Sequence, residues 1–262
     1  MKKTARKASA RKASARNAVS VSMADGSAYV IAHGLLSSKN AKIEKTNELD
    51  EYYVTGLSLA PAHTSGFEVC KGASDGCRKA CLFTAGQGRF ENVQTARIAK
   101  TRLFFQDRAT FKRMLFDDIR KAQRTARKRG LPLAIRLNVL SDLPWERIFP
   151  DLFDAFPDVQ FYDYTKVAGR QTPSNYHLTF SRSESNQAQA ERELAAGRNV
   201  TVVFRSKVLP LKWLGAPVVS GDSSDLRFKD PSGHVIGLYA KGRALTDASG
   251  FVVDTAIGCG AN

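Results

Sequence analysis

Hydrophobic and polar positions alternate with two different periods along this chain. Between residues 93 and 128 the apolar residues fall at helical spacing: Val93, Ile98, Leu103 and Phe104, then Phe111, Met114, Leu115, Ile119 and Ala122. This predicts two amphipathic helices with charged outer faces. Gly130 and Pro132 stop the second. From Leu133 the period changes. Short apolar runs rich in β-branched and aromatic residues follow one another: 133–137, 159–162, 176–180, 199–204, 217–219 and 235–239. Each reads as a strand. Helical stretches separate some of them, at 144–156 with Pro144 in its first turn and at 184–196 with Gly197 as C-cap. Upstream, residues 52–59 have strand character and end at Pro61.

Strands separated by helices or long crossings imply parallel pairing. The expected fold class is therefore α/β: a parallel (β/α) barrel, partial and TIM-like, of about six strands. An open doubly wound sheet is the second choice. Residues 25–262 are expected to form the single folded domain. Residues 1–24 are expected to be a disordered basic tail. There Arg6-Lys7-Ala8-Ser9-Ala10 repeats as Arg11-Lys12-Ala13-Ser14-Ala15, with no acidic residue before Asp25. Such a repeat has too few apolar groups to build a core.

Polar groups follow most of the predicted strands. Asn138 and Asp142 come after the first of the regular series; Asp163, Tyr164 and Lys166 after the next; Glu184, Arg205, Asp222 and Lys241 after later ones. In a parallel barrel all of these reach one rim, the end where active sites of such barrels lie. Taken singly, each is also what a loop or a helix cap contains. Lys166 stands among Tyr162, Asp163 and Tyr164, where partial burial and pairing would tune it. Asp222 sits between Gly221 and two serines. Asp142, Lys166 and Asp222 are the candidate catalytic groups. Asn138, Asp163, Tyr164, Glu184, Arg205 and Lys241 are the candidate substrate- or cofactor-binding groups.

The chemistry that stands out most is sulfur. Cys70, Cys77 and Cys81 lie within one short loop, and Cys259 is the only other cysteine. The loop is built of Gly, Lys, Ser and Asp, so these are not scattered core residues. The basic start of the chain is not followed by an apolar run, so a secretory signal is not expected. A reducing cytoplasm, where stable disulfides are rare, is the expected location. Thiolates gathered in this way point to a metal or cluster. The spacing matches neither common zinc knuckle pattern. Three ligands leave one position open unless Cys259 or His63 fills it. Gly72 and Gly76 are expected to turn the loop through positive φ, and Lys71, Arg78 and Lys79 to lower the thiol pKa values. His33, His177 and His234 have no ligand spacing. No phosphate-binding or dinucleotide-binding glycine motif and no nucleophile elbow is present.

The formal charge is +15 over 262 residues. This favours a polyanionic partner, nucleic acid first, reached through the basic tail and the two long helices. No apolar stretch is long enough to span a membrane.

The runs Leu57-Ser58-Leu59-Ala60-Pro61, Cys70 through Gly88, Ile135-Arg136-Leu137-Asn138, Ser141 through Glu146, Tyr162 through Lys166 and Leu178-Thr179-Phe180-Ser181 resemble the phage "gene product 88" family over about residues 50–254. That resemblance implies a phage or mobile-element origin and brings no known mechanism. The three-cysteine loop after a strand also resembles, in placement, the cluster loop of radical S-adenosylmethionine enzymes. Such enzymes bind a [4Fe–4S] cluster and S-adenosylmethionine on a partial barrel. Here the spacing is C-x6-C-x3-C where that family has C-x3-C-x2-C, and Asn138 to Asp142 stand where it carries Gly-Gly-Glu. The reading drawn from sequence is a phage-type iron–sulfur enzyme acting on nucleic acid or a nucleotide. The alternative is a non-catalytic nucleic-acid-binding protein with structural zinc.

Overall fold

A computed structural model describes residues 18–255. A two-stranded antiparallel hairpin, β1 (Val19–Ser22) and β2 (Ala28–Ile31), packs on the first long helix. It begins inside the stretch read from sequence as tail, and residues 1–17 lie outside the described residues.

The rest is built on one sheet of ten strands: β3 (Leu36–Ser37), β4 (Tyr53–Leu57), β5 (Leu133–Arg136), β6 (Gln160–Thr165), β7 (Tyr176–Ser181), β8 (Val200–Phe204), β9 (Lys212–Trp213), β10 (Ala216–Ser220), β11 (Val235–Tyr239) and β12 (Val252–Val253). Strands β4 to β8 lie side by side in chain order and parallel. Then β11 inserts between β8 and β10. Both edges are short antiparallel strands, β3 on β4 and β9 on β10. This overturns the barrel expectation. Among the described residues no ladder joins the two edges, and the order β8-β11-β10-β9 departs from the chain order of strands in a (β/α) barrel. The fold is mixed α/β with a mostly parallel sheet. Reversal of the chain into β3 and β9 caps each side with a short edge, a known way to stop further pairing.

One face of the sheet is covered by helices. The helices Glu91–Gln106 and Arg108–Arg129 are separated at Asp107, whose side chain caps the second by accepting from Thr110 N at 2.9 Å. Gly130 ends that helix at φ 67°, a left-handed position that glycine occupies without cost. Phe104, Phe111, Trp145 and Phe149 meet in a ring cluster with centroids 5.2–6.5 Å apart. They pack with Leu133, Ile135 and Phe161 from the sheet. The helix expected over 144–156 forms as two short pieces, Trp145–Ile148 and Asp151–Ala155, because Pro150 cannot donate in the middle of one. The other face is covered by the short helix Ala41–Asn47 and by Leu226 and Phe228 from the β10–β11 connection.

The strand β8 changes partner halfway. It pairs with β7 through Val200 and Thr201, then with β12 through Val203 and Phe204. The segment before β12 therefore reaches the sheet where β7 and β8 part. This is the seat of the cysteine loop.

Candidate functional site

The cysteine loop connects β4 to the long helices and lies over the C-terminal ends of the parallel strands. Cys77 is carried by a short helix, Asp75–Lys79, with Ser74 as N-cap accepting from Cys77 N at 3.2 Å. Glu184, just beyond β7, fixes that helix from below. Its carboxylate accepts from Ser74 Oγ at 2.8 Å and from Gly76 N at 2.7 Å. The glycines here serve a different purpose from the one expected. Neither Gly72 nor Gly76 has positive φ. Gly76 is needed for space, since a Cβ there would overlap Ser249 Oγ and come within 2.8 Å of the Glu184 oxygens. A Cβ on Gly72 would lie 3.1 Å from Cβ of Lys166. The backbone of the loop thus rests directly on the residues after β6 and β7.

All three thiols are half-buried and free of disulfides. Cys70 Sγ accepts from Ala62 N at 3.4 Å and donates to Leu140 O at 3.5 Å. Burial pushes the Cys70 thiol up to about 12, with Cys81, Cys77 and Glu68 adding to the rise. Burial also raises Cys81; the Phe83 backbone N–H opposes this, Cys77 reinforces it, and Lys166 and Arg97 work against it. The expectation that loop cations would depress the thiols is therefore corrected for Cys70 and Cys81, where desolvation outweighs the charges around them. Cys77 and Cys81 both bear on Cys70, and Cys77 bears on Cys81, in keeping with their places on one short loop. Among the described residues no group of three or more His, Cys, Asp or Glu side chains is arranged to hold a metal ion. Cys259 lies outside the described residues. His63 is turned to Glu68, 3.0 Å away, and Glu68 also binds Arg78.

Of the expected rim residues, three come to this loop. Asp142 accepts from Lys166 N at 2.8 Å and pairs with Arg170 at 3.2 Å, while its own N–H donates to Val69 O ahead of Cys70. Lys166 Nζ donates to Ser181 Oγ at 3.2 Å and lies 5.8 Å from the Phe251 ring. Glu184 is the third.

The others go elsewhere. Strand β6 runs on to Thr165, so Asp163 and Tyr164 belong to the strand and not to the rim. Asp163 is fully buried, accepting from Asn138 N at 2.6 Å and from Tyr176 OH at 2.9 Å. Burial pushes its carboxyl up to about 7. Asn138 is buried too; its Oδ1 accepts from Ser141 Oγ, Leu143 N and Trp145 Nε1 at 2.8–3.1 Å. Both are framework groups. Arg205 binds Asp254 and the carbonyls of Leu245 and Asp247. Asp222 and Lys241 pair with each other at 2.6 Å, and Asp222 also takes Tyr239 N. They share the strand-end side of the sheet with the sulfurs through the parallel register, but among the described residues their own side-chain polar contacts go to each other and to the neighbouring strand rather than to the thiols.

Several contributors escaped sequence reading. Arg170 binds Glu146 through two nitrogens, at 3.1 and 2.6 Å, as well as Asp142, locking the loops after β5 and β6 together. Asp225, on the opposite face, takes Lys42 at 2.9 Å, Arg136 at 3.1 Å and the hydroxyls of Tyr162 and Tyr164. Burial alone would raise Asp225, yet Lys42 and Arg136 hold it well below the usual carboxylate range. The signal available beforehand was Arg136, a lone charge inside an apolar strand.

The chain matches the Gene product 88 family over residues 34–255. It belongs to that family. The matched span holds the whole ten-stranded sheet and the three loop cysteines, but not the hairpin or the basic tail. No curated protein and no solved structure matches it. No helix among the described residues is long and apolar enough to cross a membrane.

Proposed function

We propose that Cys70, Cys77 and Cys81 hold an iron–sulfur cluster of the [4Fe–4S] type, and that this Gene product 88 protein uses it on nucleic acid or a nucleotide. The observation that carries this reading is the gathering of three half-buried thiols over the C-terminal ends of parallel strands. Open parallel sheets present their ligands at that end.

The donor set fits such a group. Three cysteine thiolates are the soft donors that iron–sulfur clusters take. Burial that raises the Cys70 thiol to about 12 keeps its proton on until a metal draws it off, so loading would release protons to the solvent. Lys166 and Arg97, the cations that Cys81 feels, offset part of the charge that the thiolates then carry. Asp142 fixes Lys166 through its backbone, and Glu184 holds the Cys77 helix still. When bound, the cluster supplies electron transfer, and three protein ligands leave one iron open to a small molecule such as S-adenosylmethionine. The formal charge of +15 supports a phosphate-bearing substrate.

Anaerobic purification with iron, zinc and sulfide analysis tests the reading, with Cys77→Ala as control. A brown protein with iron and sulfide that Cys77→Ala loses is expected. A colourless protein with one zinc would point to the structural-zinc alternative, and a protein with no metal at all would end the proposal.

A further inference from the structure

We infer that the segment following Cys81 is a docking platform for single-stranded nucleic acid. This rests on the reading above only for its purpose, because binding can be measured with or without a cluster.

After Cys81 the chain makes two 3-10 turns, Leu82–Thr84 and Gly86–Arg89, that fold back on each other. Gly88 makes the fold-back possible. A Cβ there would overlap the Phe83 carbonyl. Arg97 Nη1 donates to that same carbonyl at 2.9 Å and Gln94 to Gly88 O at 2.7 Å, so the platform is fixed to the long helix behind it. What this rigid turn presents to solvent is apolar. Phe90 is 45% exposed and Leu82 is 45% exposed. An exposed apolar side chain is ordinary by itself. Here, however, Arg89 lies over the Phe90 ring at 4.9 Å, and the surroundings are basic. Lys71 and Lys79 are exposed on the cysteine loop itself. Exposed Arg243 follows Gly242, where a Cβ would touch Ala85 at 3.5 Å. Asp75 and Glu91 are the exposed acids on the same stretches.

Cations that follow a phosphate backbone, with an exposed ring for a base to stack on, are the two elements of sequence-tolerant single-strand binding. A duplex would use the cations and leave the ring idle, because its bases are already stacked. The platform starts at the residue after Cys81, so a strand lying on it passes beside the sulfurs.

The test is fluorescence anisotropy on the full chain with a labelled oligothymidylate and a duplex carrying the same number of phosphates. Phe90→Ala should weaken single-strand binding about 5- to 150-fold, the range that one stacked base contributes. Duplex binding, which reads the charges and the basic tail, should stay within about twofold. The melting temperature should also hold, since Phe90 is half in solvent. Equal loss on both ligands, or no loss on either, would overturn the platform. Cys77→Ala separates the two proposals. If it loses metal yet keeps single-strand binding, the platform is independent of the cluster. A metal-loaded wild type that does not favour the single strand ends this inference and leaves the cluster in place.

Discussion

Replacing Asp163 by Asn should remove most of the pH dependence of stability between pH 4 and 7. Asp163 has no solvent exposure, and burial lifts its carboxyl from 3.8 to about 7. In the unfolded chain it ionises near the ordinary value. Between the two values the folded protein holds a proton that the unfolded chain has released, so stability falls as pH rises through this window and levels off above it. The span of about three pH units, at about 1.4 kcal/mol each, comes to about 4 kcal/mol. Asn keeps an oxygen for Asn138 N and places its amide NH2 where the second carboxylate oxygen takes the Tyr176 hydroxyl, with the hydroxyl oxygen as acceptor, but it cannot ionise. Urea unfolding at pH 5 and pH 8 is the assay. Because the decline begins below pH 5, about two of the three units fall between these conditions, and the wild type should lose about 3 kcal/mol relative to Asp163→Asn on going from the lower to the higher pH. His177, whose pKa burial lowers, contributes the opposite trend in the same window, but it does so in both proteins and cancels in the comparison. Parallel stability curves for the two proteins would show that the buried carboxyl is not the proton-holding group.

Two further outcomes follow from the packing. Gly76→Ala should loosen the Cys77 helix from Ser249 and Glu184, costing about 1–3 kcal/mol and lowering the metal content of anaerobically purified protein; unchanged melting and unchanged metal would show that the loop seat is slack. Lys100 is buried against Leu35 O at 2.7 Å, and burial lowers its pKa to about 8, so wild-type stability should rise with pH from about 8 to 10 as the unfolded chain gives up its proton later. In Lys100→Met that rise should vanish, and its persistence would place the titration elsewhere.

What the sequence revealed was whatever depends on local pattern. The two long helices, their stop at Gly130 and the strand Val235–Tyr239 were all legible because apolar spacing and breakers act within a few residues. Sheet order was not. That β11 inserts between β8 and β10 is decided by long-range pairing, which leaves no periodic mark. The extent of β6 was misjudged because Asp163 and Tyr164 look like loop residues, yet Asn138, Tyr176 and Asp225 across the sheet satisfy their polar atoms. At the site, the cysteines, Asp142, Lys166 and Glu184 were visible, being polar groups after strands. The elevated thiol pKa values were not, since burial is a property of the assembled fold and the charges nearby in sequence suggested the reverse.

The half-way change of partner along β8 also sets an order of events during synthesis. Cys77 leaves the ribosome long before Ser249, Phe251 and Val252, which close the gap between β7 and β8 and form the floor under the loop. A nascent chain therefore carries its thiols without a seat until nearly all of the sheet has been made. A cluster of the kind proposed would then find its seat complete only after that last strand had docked, at the end of folding rather than its beginning.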